Sequence, residues 1–266
     1  MNLNDAIQKL NTEFPFKGYI LPEFNSIYAD IANVAQKHLQ PGAKILDFGS
    51  GPCDKTAILQ SLGFDCYACD DLGDDWHKQD NNAEKIIAFA EKCGIKFTRT
   101  DNGPLPYQKE YFDMVMLHHV IEHLHDSPRE LLNGLLELVK PDGFIMITVP
   151  NATNIRKRID LALGKTNYPD FASYYNYPGQ WRGHVREYAR GDLQLLSKFL
   201  GLEPLELRGG DNMLQKVPVS MRLVYLTVTK LLDGWKDSWL LLAKKEPGWR
   251  PISNSVGLKD NPQLNK

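Results

Sequence analysis

The sequence predicts an α/β fold, a doubly wound and mostly parallel sheet with helices on both faces. Three observations carry that prediction. Short apolar runs alternate with segments of helical period between residues 44 and 149. The first run, "KILDF", opens into the glycine turn "GSGPC", a strand-to-helix junction of the kind that receives nucleosides. With 42% hydrophobic and 24% charged content, 266 residues suffice to bury a full core.

The elements follow in order. Residues 22–39 read as a helix, with Ile27, Ile31, Val34, Ala35 and Leu39 at three- and four-residue spacing and Pro41-Gly42 as the stop. Strands are expected at 44–48, 64–69, 95–99, 113–117 and 143–149, and helices at 54–62, 81–93 and 127–139. From 151 to 190 the pattern breaks into a stretch crowded with Tyr, Asn, Arg, Pro and Gly, read as an excursion over the strand ends. A helix at 191–200 and a strand at 202–208 resume the fold, and "DSWLLLAKK" at 237–245 supplies the last strand. The resulting division is an N-terminal helical cap at 1–40, a main domain at 41–245 with inserts at 151–190 and 211–236, and a loosely ordered tail at 246–266.

Composition narrows the function. A formal net charge of -2 offers no global attraction for nucleic acid, which is not the expected partner. "MNLNDAIQKLNTEF" lacks the basic start and apolar run of a secretory signal, and no apolar stretch reaches the roughly 18 residues of a membrane span. The four cysteines, Cys53, Cys66, Cys69 and Cys93, show no paired zinc spacing, and Cys66 and Cys69 should alternate faces of one strand as core filling. A reducing, cytoplasmic setting is expected.

The glycine turn admits two phosphate readings, and one residue weakens both. A P-loop needs glycine before its Lys, and a dinucleotide fingerprint read from Gly49 and Gly51 needs a small residue at the same place; the chain has Asp54 there. A carboxylate at a helix start competes with phosphate for the positive end of the helix dipole. A nucleoside carrying an ammonium and a sulfonium escapes this objection, because the nearby carboxylate of Asp47 would attract it.

"ILDFGSGPC", the strand "FDCYACD", "TDNGPLPYQKEYFDMV" and "LHHVIEHLHDSPRELL" together resemble the class I S-adenosylmethionine-dependent methyltransferases, in particular the small-molecule, glycan and quinone type. The resemblance covers residues 40–150, and "GHVREYARGDLQLLSKFLGLEPLEL" is a second match. It implies a seven-stranded sheet of order 3-2-1-4-5-7-6 with the seventh strand antiparallel, and S-adenosylmethionine as cofactor. Carried over by position, it implies that Asp47, Gly49 and Gly51 shape the turn beside the methionine moiety. Asp70, or Asp71 one residue on, would take the ribose hydroxyls, and Asp101 and Asn102 would meet the adenine amino group. His118 and His119 would line the floor between cofactor and acceptor. Cys53 stands where the family has a third glycine, so its side chain is expected to narrow the turn.

For a hydroxyl acceptor a neutral His would remove the proton. His184, His118 and His119 are the catalytic candidates; His184 leads because it lies in the aromatic excursion over the strand ends. A structural His bridging loop and core is the competing reading of His184. His119, Glu122 and His123 would share a face if "HHVIEHLHD" were helical and could then ligate a divalent metal. A subset of RNA 2′-O-methyltransferases has a related E-x-x-E-H metal element, but no metal is expected here, with Glu122 and His123 bracing the loop instead. Tyr168, Tyr174, Tyr175, Tyr177 and Trp181 suit a small-molecule or glycan acceptor, though most are expected to pack the insert onto the sheet. For the apolar helix at 217–232 core packing is favoured, with cavity closure, a homodimer seam or weak membrane-surface contact as alternatives. The expected activity is O-methylation of a small molecule or glycan. A non-catalytic nucleoside-binding module, a nucleotide enzyme with a degenerate P-loop and a metal-assisted RNA methyltransferase are the rivals.

Overall fold

The computed structural model describes residues 1–100, 103–211, 214 and 217–252. Asp101 and Asn102 lie outside the described residues. In chain order the elements are α1 (Leu3–Glu13), α2 (Phe24–His38), β1 (Lys44–Phe48), α3 (Asp54–Ser61), β2 (Asp65–Asp70), α4 (Asp75–Lys78), α5 (Asn82–Lys92), β3 (Lys96–Arg99) and β4 (Phe112–His118). They continue with α6 (Pro128–Leu138), β5 (Val139–Pro150), α7 (Ile155–Ala162), α8 (Phe171–Tyr175), α9 (Arg190–Leu200), β6 (Glu203–Gly210), α10 (Arg222–Leu231) and β7 (Ser238–Lys244).

The seven strands form one sheet of order β3-β2-β1-β4-β5-β7-β6, as expected. β1 to β5 pair in parallel, while β7 runs antiparallel to both β5 and β6. Central strands are covered on both sides, which is why they read as continuous apolar runs. Ile45, Cys66, Ala68, Met114 and Met116 face one core with α1, α2, α3 and α5. Leu46, Cys69, Val115, Leu117 and Trp239 face the other, with α6 and α9. Cys66 and Cys69 therefore fill opposite cores, as the strand period requires.

Three features depart from the sequence reading. α1 was not foreseen as a separate helix, although Asn2 caps it by accepting from the Asp5 N–H at 2.9 Å and Leu3, Ala6, Ile7 and Leu10 follow the helical period. Core packing of the 217–232 helix does not hold: Tyr225 and Thr229 are buried, but Val219, Leu223 and Leu231 are each 78% exposed. The stripe that periodicity reveals carries no information on whether anything covers it. The tail begins with an anchor, since Trp249 is buried and its Nε1–H donates to the Leu200 carbonyl at 2.6 Å.

The N-terminal helices share the core of the sheet. α1 and α2 both pack on α3, and Phe14 meets Phe89 of α5 edge-on at 5.2 Å. Leu10→Ala is expected to destabilise the protein by about 2–5 kcal/mol through the cavity it leaves, whereas Leu223→Ser on α10 should stay within about 0.5 kcal/mol. Urea denaturation of both variants checks this, and a similar loss for the two would contradict the packing described.

Candidate active site

The C-terminal ends of β1, β2, β4 and β5 open into one cleft of about 2190 Å³, lined also by residues of the 151–190 insert. Its position at the strand ends is where open α/β sheets bind ligands.

The β1 turn is built by glycine conformation and close approach. Gly49 (φ +71°) and Gly51 (φ +52°) are left-handed, and a Cβ on Gly49 would sit 2.6 Å from Val120 Cγ2. The Gly49 and Ser50 N–H groups donate to the Cys69 carbonyl at 2.8 and 3.1 Å, which hooks the turn onto β2. Cys53 is also left-handed (φ 62°), a conformation that costs a non-glycine residue about 1–2 kcal/mol. Its side chain is fully buried in the core beside Ser50, so the turn is not narrowed on the cleft side as the sequence suggested.

Asp47 sits beneath this turn and not in the cleft wall. Its Oδ2 accepts from Thr56 Oγ1 at 2.6 Å, and Oδ1 is buried without a partner among the described residues. Burial raises its carboxyl to about 7, against the lowering effects of the Thr56 hydrogen bond and Lys55. Asp70, at the tip of β2, lines the cleft; Oδ2 accepts from the Gly51 N–H and Oδ1 from the Leu72 N–H, both at 2.8 Å. A carboxylate has lone pairs left after two such bonds. Asp71 is engaged elsewhere: Arg182 Nη2 donates to it at 2.9 Å, and Arg182 Nε to Asp74 at 2.6 Å. Burial opposes the charge of Asp71, but Arg182 and the Gly73 N–H hold its carboxyl below the ordinary value.

The start of α3 carries a buried carboxylate. Asp54 is fully buried there, accepting from Tyr28 Oη at 2.8 Å and from Lys55 Nζ at 3.1 Å. Sequence reasoning placed Asp54 as an obstacle but missed its partners. Tyr19, Phe24 and Tyr28 of the N-terminal segment line the cleft, and Trp76 stacks on Tyr19 at 5.6 Å. The aromatic spacing at 14–28 was the available signal.

The opposite wall carries the histidines. β4 ends at His118, whose Nδ1 meets Thr148 Oγ1 at 2.5 Å; burial and then His119 push its imidazole well below the usual value. The condition that the following segment be helical is met only by a short 3-10 turn at Ile121–His123, and His119 before it is left-handed (φ 57°). His119 Nδ1 donates to Glu122 Oε1 at 2.8 Å, but the ligand atoms that lie together are those of Glu122, His123 and His184. The Val185 and Arg186 N–H groups donate to the Glu122 carbonyl at 2.7 and 3.2 Å and bring His184 against His123, ring centroids 4.9 Å apart. Burial lowers the His184 imidazole to about 4, partly offset by Glu122. The excursion holds two short helices that its composition concealed, α7 capped by Asn154 and α8 by Asp170. Its aromatics pack on one another more than on the sheet: Trp181 contacts Tyr174 at 5.4 Å and Tyr177 at 5.1 Å, while Tyr168 and Tyr175 are exposed.

Strand order, the glycine turn and an acidic residue at the tip of β2 give a Rossmann-like fold with its cleft at the strand ends. Residues 23–207 match the methyltransferase domain family, and the chain belongs to that family. It is an S-adenosylmethionine-dependent methyltransferase. Its fold is similar to a SAM-dependent methyltransferase from Aquifex aeolicus (14% identity, TM-score 0.52, 92% of this chain and 98% of that one). It is also similar to a SAM-dependent methyltransferase from Archaeoglobus fulgidus (19%, 0.52, 82% and 93%) and to the [4+2]-cyclase SpnF (14%, 0.54, 92% and 94%). At these identities the likeness concerns the fold alone, and a cyclase among them illustrates that a fold does not dictate a reaction. No curated protein sequence matches the chain. Among the described residues, no helix is long and apolar enough to cross a membrane.

The raised Asp47 carboxyl has a consequence for stability. An acid whose folded-state value lies above its unfolded value contributes stability that is complete below about pH 4 and lost as pH rises through about 7. Asp47→Asn should therefore gain melting temperature relative to wild type between pH 4 and 7.5. A constant difference across that range would show that Asp47 is not proton-linked to folding.

Proposed function

We propose that the enzyme transfers the methyl group of S-adenosylmethionine to a hydroxyl of a small molecule or glycan. The observation that supports this reading is that His119, His123 and His184 line the same cleft as the glycine turn, with the His123 and His184 rings in contact. In-line displacement asks the enzyme chiefly to align the acceptor oxygen with the methyl carbon. The O–CH₃ bond forms as the S–CH₃ bond breaks, and the electron pair stays on sulfur. The acceptor proton passes to a neutral imidazole, and His119 and His184 are the residues placed to receive it.

On the cofactor side, Asp70 takes the ribose hydroxyls, because its carboxylate lines the cleft with lone pairs to spare while Asp71 is paired with Arg182. Gly49 and Gly51 let the backbone approach the methionine moiety, and Asp47 supports that turn from below. His118 lies at the floor of the cleft, where it is buried against Thr148.

Asp70→Ala should weaken S-adenosylhomocysteine binding by about 1–3 kcal/mol, and Asp71→Ala by clearly less; calorimetric titration reads both, and the reverse order would move the ribose to Asp71. His184→Ala should lower turnover by about 10²- to 10⁴-fold with cofactor affinity retained. Incubation with metabolite and glycan extracts, followed by NMR location of the transferred methyl, tests the acceptor class. Methyl transfer confined to nitrogen or carbon would refute the oxygen assignment.

A further inference from the structure

The turn after β4 holds more than a proton acceptor requires. We infer that Glu122, His123 and His184 bind one divalent first-row transition cation, of the manganese-to-zinc series and not magnesium or calcium.

One ligand atom from each of the three side chains lies within 4.8 Å of the other two. A cation with bonds of about 2.0–2.2 Å to nitrogen and oxygen closes such a triangle by small side-chain shifts. Glu122 is 0% exposed, and while its Oε1 accepts from His119, its Oε2 is buried with no hydrogen-bond partner among the described residues. A carboxylate oxygen in that position is costly unless something positive meets it.

The surroundings prepare both imidazoles as ligands. His123 Nδ1 donates to the Arg182 carbonyl at 2.7 Å, and His184 Nδ1 donates to Glu187 Oε1 at 2.9 Å. Each ring is thereby held in the tautomer that leaves the Nε2 lone pair available. Glu187 is in turn ion-paired with Lys157, giving His184 the carboxylate backing typical of metal-bound histidines. The two N–H bonds from Val185 and Arg186 to the Glu122 carbonyl fix the insert and the turn as one rigid unit.

The donor set decides the metal. Two imidazoles and one carboxylate suit manganese, iron, cobalt or zinc, whereas magnesium and calcium favour oxygen ligands. Positions left open on such a cation would take the acceptor hydroxyl. This role rests on the methyl-transfer reading: the cation lowers the hydroxyl's pKa, the proton leaves to His119, and the oxygen lone pair attacks the methyl carbon. Of the two histidines proposed to receive the proton, His119 keeps that function, because its Nδ1 is on Glu122 Oε1 and its Nε2 is not a ligand, whereas His184, with Nδ1 on Glu187 and Nε2 on the cation, acts as a ligand instead.

The test uses full-length protein stripped with EDTA and dialysed against cobalt, zinc or magnesium chloride, with metal content measured per chain. Wild type should take up one cobalt with visible d–d absorption, which equimolar zinc displaces and millimolar magnesium does not. His184→Ala and Glu122→Gln should lose at least about 100-fold in cobalt affinity, and Glu187→Gln about 10- to 100-fold. His125→Ala, a cleft histidine outside the three, should bind as wild type. Retained S-adenosylhomocysteine binding certifies the fold of each variant, and His184→Ala carries the test should the buried Glu122 variant fail to fold. Absence of stoichiometric uptake by wild type, undiminished binding by His184→Ala, or displacement by magnesium would each overturn the inference. Because dialysis needs no acceptor, its failure would leave the methyl-transfer reading standing.

Discussion

The histidine-lined half of the cleft depends on one main-chain carbonyl. The Glu122 oxygen accepts from both Val185 and Arg186, and that pair of bonds docks the insert onto the tip of β4. Neither partner is part of a regular element, so no helix or sheet ladder would place them otherwise. Tyr188 adds a bond to the Ile121 carbonyl and bridges to Asn151, which ties both ends of the excursion to the sheet. With this joint made, His184 meets His123 and Arg182 reaches Asp71 and Asp74. A buried backbone carbonyl needs a partner in any case, and here satisfying it also assembles the site.

The half of the cleft at the glycine turn is organised around a buried charge. The N-terminus of α3 would attract phosphate, but a fully buried carboxylate already occupies it, held by Tyr28 and Lys55. Burial by itself would pull the Lys55 ammonium down, and Asp54 and Tyr19 hold it above its ordinary value instead. The N-terminal helices therefore contribute both to the core and to the cleft: Tyr28 packs in α2 while its hydroxyl donates to the buried Asp54. Asp70 completes the frame by linking the glycine turn to β2 through the Gly51 N–H.

The glycine turn and the β4 turn also constrain each other. Val120 fills the space where a side chain at position 49 would stand, so the two halves of the cleft meet without a gap. Left-handed backbone at Cys53 and His119 marks the same junction from either side. Strain of this kind persists where surrounding packing over-determines it, and it gathers at sites that must present a particular geometry.

Local pattern was sufficient for much of this protein. Apolar runs at β1, β2, β4 and β7, the helical period of α2 and α6 and the turn around Gly49 were all legible, because each depends on residues within a few positions of one another. The order of the strands and the family followed from the sequence of motifs. What the sequence alone could not decide was contact across distance: whether α10 would be covered, which way the Cys53 side chain would turn, and that Tyr28 would reach Asp54. The cluster of Glu122, His123 and His184 belongs to the same class, since spacing offered His119 as the third member, and only on the condition that the stretch were helical. The segment forms a short 3-10 turn, and the insert supplies the third group, because hydrogen bonds between remote segments are set by the whole fold and leave no local period to read.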